Sequence, residues 1–243
     1  MLLERGLRVR ALVRDPQRAR GLAEAGVELV AGDLQSPAAL RDLVTGSAAI
    51  VHAAGSVRGN NPDVFLQTNG EGTRLLLEAA ARAAPRSRFL LLSSLAAREP
   101  HLSWYAHSKR QGENLVTASE LDWVVLRPPA VYGPGDREMR AIFDWMQRGI
   151  ALVPGSADAR TSLVHVDDLT AAILACLDGD GVSGRLFELG DGKSGGYDWS
   201  ELAAIAATVY GRPVRLLRPA APLLNAVAAI SLWLARLTGR QAM

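Results

Sequence analysis

The sequence predicts an α/β fold built around a parallel sheet. Over the first 130 residues, short β-rich runs alternate with helical stretches, the pattern of strands joined by crossover helices. Beyond Pro128 the regularity loosens, and Pro, Gly and short elements dominate. The chain has 243 residues, 49% of them hydrophobic, enough for one α/β domain or a domain with a small appendage.

The elements follow in order. Residues 8–13 read as a strand and 16–25 as a helix. Residues 27–31 are the next strand, followed by a helix over 36–44 with Ser36 as its N-cap, since a Ser hydroxyl accepts from a free N–H at a helix start. Residues 48–52 are a strand and 62–84 one long helix; 89–92 and 123–126 are strands flanking a helix that carries Tyr105. A helix over 168–177 follows, and the apolar segment 222–237 reads as a packed amphipathic helix. The chain thus divides into a core over 1–130 and a smaller region over 131–243, interleaved with the last core elements.

Composition excludes several classes of function. Net charge is +2 with 21% charged residues, so the excess of Arg is small, and no basic run or aromatic–basic alternation suggests nucleic acid. Segment 222–237 is interrupted by Asn225, Ser231 and Arg236 and falls short of the roughly 18 unbroken apolar residues of a membrane span. The first residues are charged almost at once, unlike a signal peptide. The single Cys176, in the apolar run 171–177, reads as a buried core thiol in a reducing cytoplasm and excludes an intrachain disulfide. His165 has no second ligand at metal spacing, and Asp167-Asp168 stand where carboxylates cap a helix, so no metal site is expected.

The chemistry concentrates in Ser93-Ser94 and in Tyr105-Ala106-His107-Ser108-Lys109. Tyr and Lys four apart share one helix face, placing a phenol beside an ammonium. A neighbouring cation favours the phenolate and lowers the phenol pKa from about 10. With a Ser hydroxyl from an adjacent strand end, these groups suit proton transfer at an alcohol or carbonyl, the partner step of a hydride transfer.

Seven landmarks then stand in order: Gly32-Asp33-Leu34, His52-Ala53-Ala54-Gly55, Asn69-Gly70-Glu71-Gly72-Thr73, Ser93-Ser94, the Tyr105 to Lys109 motif, Arg127-Pro128-Pro129-Ala130-Val131-Tyr132-Gly133-Pro134-Gly135, and His165-Val166-Asp167-Asp168-Leu169. Over nearly its whole length the chain resembles the extended short-chain dehydrogenase/reductase superfamily, the NAD(P)-dependent epimerase/dehydratase and 3β-hydroxysteroid-dehydrogenase-like group. The resemblance implies a Rossmann-like doubly wound parallel sheet with a small C-terminal substrate-binding region. It implies Tyr105 as general acid/base, Lys109 as the group that lowers its pKa and holds the nicotinamide ribose, and Ser94 as the hydroxyl that polarises the substrate oxygen. Ser93 is then a backbone-bonding neighbour. Asp33 and Leu34 fall where the adenine is contacted, Ala53, Ala54 and Gly55 on a small-residue turn along the cofactor, and Pro128 and Val131 on the loop over the nicotinamide. Asn69 matches a partly structural Asn of the following helix.

Cofactor preference is read from the strand ending Leu12-Val13-Arg14-Asp15-Pro16. Enzymes preferring NAD usually place an acid there for the ribose 2′-OH. Here Val13 takes that place and Arg14 follows with a guanidinium suited to a 2′-phosphate, so NADP is expected, with NAD as the alternative. The expected reaction interconverts an alcohol and a carbonyl. A sugar-nucleotide epimerase or dehydratase is the competing reading: dehydration is disfavoured because Leu95-Ala96 follows Ser94 where dehydratases of the family carry acids, and epimerisation is weakened because Thr161 stands in place of a diphosphate-binding Arg, with Arg160 one residue off. A non-catalytic NAD(P)-binding accessory protein is the third. The apolar 222–237 segment with Trp233 and the scarcity of basic residues over 151–164 point to a hydrophobic substrate, and assembly as a homodimer stays open.

The family's first strand and its glycine-rich turn find no counterpart upstream of Leu2-Leu3-Glu4-Arg5-Gly6, and relatives continue beyond residues 237–243. The chain is therefore expected to be a shortened version of a longer enzyme, inactive or weakly active as it stands and weak in NADP binding. In a sheet ordered 3-2-1-4-5-6 the missing strand is central. Either strand 8–13 pairs directly with strand 48–52, or the gap stays open or is filled by another chain.

Overall fold

The computed structural model describes residues 1–136, 138–153, 156 and 159–219. The apolar segment 222–237 and the residues after it lie outside them. The chain opens on β1 (Arg10–Val13), α1 (Arg20–Glu24), β2 (Glu28–Ala31), α2 (Pro37–Val44) and β3 (Ala49–His52). A helical stretch follows as α3 (Pro62–Phe65), a π turn over Leu66–Glu71 and α4 (Gly72–Ala83). Then come β4 (Arg88–Leu92), α5 (Trp104–Thr117), β5 (Asp122–Arg127), β6 (Ala130–Tyr132), α6 (Glu138–Gln147), β7 (Ile150–Leu152), β8 (Arg160–Thr161) and β9 (Leu163–His165). The described chain ends with α7 (Val166–Asp178), β10 (Arg185–Glu188), β11 (Tyr197–Asp198), α8 (Trp199–Tyr210) and β12 (Arg215–Leu217).

The main sheet has the order β10-β5-β4-β3, all parallel. Strands β4 and β5 are near-continuous apolar runs because both faces are covered. Phe89, Leu90, Val124, Val125 and Leu126 have no exposed surface, each such burial stabilising the fold by about 1.5–3 kcal/mol. On one face they meet α2, α4 and α5 through Leu40, Val44, Leu76, Leu77 and Val116; on the other, Leu90, Val124 and Leu126 meet Cys176 of α7. Cys176 is the buried free thiol the sequence suggests. A second apolar cluster, around Met146, Leu163 and Leu202, gathers α6, α8 and the short strands after β5.

Strands β1 and β2 pair with each other in parallel and with nothing else. Of the arrangements open at the sequence level, direct pairing of β1 with β3 does not occur: between them lies a cleft of about 630 Å³, lined by Arg8 to Arg10 on one side and Ala48 to Val51 on the other, with Val44 and Leu177. Side chains span it in place of a ladder. Arg10 donates to the carbonyls of Asp42 and Thr45, and its Nη2 lies 3.1 Å from Ser47 Oγ.

Element ends differ from expectation for local reasons. Helix 16–25 shrinks to α1 because Asp15 Oδ1 accepts from Gln17 N at 3.0 Å, holding the chain in a turn. Ser36 stands at the N-cap of α2, but its hydroxyl donates to Asp33 Oδ1 at 2.8 Å instead of capping. His165 itself caps α7, accepting at Nδ1 from Asp167 N at 3.3 Å, where the sequence suggested Asp167 and Asp168.

Candidate active site

The carboxyl end of β4 and the first two turns of α5 build the site. Ser103 caps α5, accepting from Ala106 N at 3.0 Å, which fixes where the helix begins and so where Tyr105 points. Ser94 leaves β4 in extended conformation, its Oγ accepts from Ala96 N at 3.2 Å, and its hydroxyl stands close enough to the Tyr105 phenol to act on its pKa. Lys109, buried, donates from Nζ to the Leu92 carbonyl at 2.6 Å. Ser93 faces the other way: its hydroxyl donates to Glu113 Oε1 at 2.5 Å, while its N–H donates to Leu126 O at 2.8 Å. The backbone of Ser93 thus joins the ladder while its side chain binds a buried carboxylate, a partner the sequence did not suggest.

The phenol is not pulled toward phenolate. Burial pushes the Tyr105 pKa up from 10.0, opposed only by the Ser94 hydroxyl. This corrects the expectation drawn from Tyr–Lys spacing, for a physical reason: the Lys109 ammonium is turned to the Leu92 carbonyl. Burial in turn pulls Lys109 down to about 8, against the opposite effect of the Glu113 carboxylate.

Beside this trio lies a second cleft of about 660 Å³, and Arg14, Asp33, Leu34, Ala54 and Gly55 all line it, with Arg58 across from them. Asp33 is held well below the usual carboxylate range by the Ser36 hydroxyl and the Gln35 N–H, at 2.8 and 2.9 Å. Arg58 pairs with Glu138 at 2.8 Å on the exposed rim. Gly55 joins the cleft to the trio. A Cβ there would stand 3.2 Å from Asn69 Oδ1 and 3.7 Å from Lys109 Nζ, so its bare backbone lets a ligand pass close to both. Ala53, Pro128 and Val131 do not line this cleft. Pro128 accepts from Leu95 N at 3.0 Å and Val131 pairs with Val164 in β9.

Asn69 sits in the π turn and is 3% exposed. Its Oδ1 accepts from Ser56 N at 2.8 Å; its Nδ2 donates to Ser56 O at 3.0 Å and to Ser108 Oγ at 2.9 Å. The carboxamide therefore locks the loop after β3 to the helix of Tyr105. A π turn inside an α-helix is a recurrent feature of functional sites, and no periodicity in residues 62–84 announces it.

A nicotinamide dinucleotide fits these residues. Ala54, Gly55 and Ser56 line a cleft that also takes in Arg14 and Asp33, and its bare Gly55 stands beside Lys109 Nζ. Among the described residues no cluster suited to a metal ion exists, and no described helix is long and apolar enough to cross a membrane.

Known proteins agree with this geometry. The profile of the NAD(P)H-binding family matches residues 1–179. A ceramide reductase of Caulobacter vibrioides is 39% identical over 236 residues, 93% of this chain and 73% of the relative. Sterol demethylase protein B of Methylococcus capsulatus is 30% identical over 213 residues, and the chain spans 63% of its length. Among solved structures, MoeE5 in complex with UDP-glucose and NAD superposes with a TM-score of 0.74 at 23% identity, covering 90% of this chain and 79% of that one. The match over most of the chain leads to one conclusion: the chain belongs to the NAD(P)H-binding family.

Proposed function

We propose that this protein reduces a carbonyl group on a lipid-like substrate at the expense of NADPH. The observation that carries the reading is the placement of Ser94, at the end of β4, beside a Tyr105 phenol that burial keeps protonated, with Lys109 one helical turn away. When bound, a reduced nicotinamide supplies the electron pair. Tyr105, holding its proton at neutral pH, gives that proton to the carbonyl oxygen as it becomes an alcohol. Ser94 donates a hydrogen bond to the same oxygen, stabilising the charge that develops there. Lys109, one helical turn along from Tyr105, hydrogen-bonds the cofactor ribose. Asn69 holds the loop at Ser56 against α5, keeping the cleft in register with the phenol.

A lipid-like substrate is supported by two relatives, whose names specify a ceramide and a sterol. Nucleotide-sugar epimerisation is disfavoured by Arg160, whose guanidinium is engaged by Glu201 at 2.9 Å and by the carbonyls of Gly195 and Gly196. Dehydration lacks its acids, since Leu95 and Ala96 open the short turn after Ser94. NADP preference rests on Arg14, which lines the cleft at the end of β1 with no acid at Val13.

The test is an NADPH-oxidation assay over a panel of long-chain ketones and nucleotide sugars, repeated with NADH and with Arg14→Ala. Stoichiometric oxidation is expected with the lipid ketones alone. Arg14→Ala should weaken NADPH about tenfold or more and leave NADH nearly unchanged, the size of one charge-assisted phosphate contact. Turnover confined to nucleotide sugars would refute the substrate class, and equal loss with both cofactors would refute the role of Arg14.

A further inference from the structure

We propose that Glu113 is a positioning residue for this reaction: it ties the strand end carrying Ser94 to the helix carrying Tyr105 and Lys109, and sets a negative charge beside Lys109. The proposal rests on the catalytic reading of those three residues.

Three successive residues at the end of β4 each meet a different side chain of α5. The Leu92 carbonyl accepts from Lys109, the Ser93 hydroxyl donates to Glu113, and the Ser94 hydroxyl stands beside the Tyr105 phenol. Tyr105, Lys109 and Glu113 stand four apart and share one helix face. A slip of either element by one residue would break all three contacts together, and Glu113 is the contact with no expected role toward cofactor or substrate.

Its environment is costly to build. Glu113 is 2% exposed, and a carboxylate taken out of water is unfavourable unless paired and hydrogen-bonded. Arg127 at the end of β5 supplies a fork, Nε to Oε1 at 2.8 Å and Nη2 to Oε2 at 2.6 Å. Arg110 Nε lies 3.4 Å away, and Arg127 reaches on to Glu188 of β10 at 3.1 Å. A well-packed apolar residue would avoid the desolvation, but it could neither bond Ser93 nor act on a neighbouring cation.

The cation it acts on is Lys109. From β3, Lys109 is faced by His52, whose pKa of about 3 leaves the ring neutral; from β4 by the Leu92 carbonyl; on its own helix by Tyr105, Arg110 and Glu113. Burial drives Lys109 toward the neutral amine, and Glu113 is the carboxylate that opposes it. With Glu113 neutral, burial and the Arg127 cation both act to discharge Lys109, so the ammonium is lost at lower pH.

The chain has two lysines, Lys109 and Lys193, which makes the titration directly observable. Protein labelled with ¹³Cε-lysine gives two titrating signals, and Lys193→Arg assigns them. The Lys109 midpoint is expected near 8, lower by about one unit or more in Glu113→Gln, and close to the native value in Glu113→Asp, which keeps the charge. The alkaline limb of kcat should move to lower pH with the midpoint, a change that loss of a merely structural contact would not produce. An unmoved Lys109 midpoint in folded Glu113→Gln overturns the proposal. Should that variant fail to melt cooperatively, the double variant Glu113→Gln, Arg127→Gln leaves no orphan charge, and a midpoint at or above the native one is then the overturning result. A Tyr105→Phe protein with undiminished turnover would defeat the catalytic reading instead, and would leave the lysine titration untouched.

Discussion

His52 is 2% exposed, and its Nε2 lies 2.9 Å from Thr73 Oγ1, which in turn donates to the Asn69 carbonyl at 2.7 Å. Burial, with the nearby Lys109 cation, lowers its pKa from 6.5 to about 3. Below pH 6.5 the unfolded chain takes up a proton that the folded protein refuses, so stability falls as pH drops through that window. The loss amounts to roughly 4 kcal/mol near pH 3.5, from about 1.4 kcal/mol per unit. His52→Gln, able to keep a hydrogen bond to Thr73 without titrating, should show a shallower fall of Tm between pH 6.5 and 4 in a calorimetric pH series; parallel curves would show that His52 is not the acid-sensitive group. At this scale the sequence is readable where chemistry and spacing coincide. Tyr105 and Lys109 share a helix face, and Ser94 stands at a strand end, so their convergence could be anticipated. Glu113 could not be: a carboxylate four residues after a lysine on a helix reads as an exposed ion pair, and only the packing of β4 and β5 against α5 shows that it is buried. Tyr105 misled for the same reason, since its pKa is governed by burial, which spacing does not encode.

Among elements, the strands of the core lie within two residues of their expected limits, because apolar runs bounded by turn residues leave little freedom in where a buried strand begins. The interrupted helix over 62–84 was not legible: a π turn adds one residue to a turn without disturbing the apolar face on either side, and Asn69 reveals its purpose only through Ser56 and Ser108. The short parallel pairs β6–β9 and β7–β12 were also hidden, since three-residue strands carry no detectable alternation. Strands β1 and β2 form a separate pair, and near β1 Arg10 bonds the end of α2 and the loop that leads into β3 where a backbone ladder to the main sheet is missing. Their residues are half-buried or exposed, whereas β4 and β5 are fully buried at their centres. Amides of β1 and β2 should therefore exchange through a sub-global opening, at least about tenfold faster than those of β4 and β5. Arg10→Ala should widen that difference. Uniform protection across both sheets in native-state hydrogen exchange would contradict it.

At the scale of the molecule, the loss of periodicity after residue 130 suggests a division in the sequence but not the way later segments return. Strand β10 rejoins the main sheet beside β5, and Arg127 and Glu188 bond across that junction at 3.1 Å. The fold thereby gathers the end of β1, the turn after β2 and the loop after β3 around one cleft, with Lys109 of α5 next to it at Gly55, although they are far apart in sequence. The proposed function turns on Tyr105, the group proposed to exchange a proton with a bound carbonyl. The decisive measurement is single-turnover reduction by Tyr105→Phe alongside its NADPH affinity by calorimetry. Removing a general acid costs on the order of 10²–10⁴ in rate, so the rate should fall by about a thousandfold while the Kd for NADPH stays within about twofold. Turnover equal to that of the native protein would contradict the assignment of this site as a Tyr-dependent carbonyl reductase.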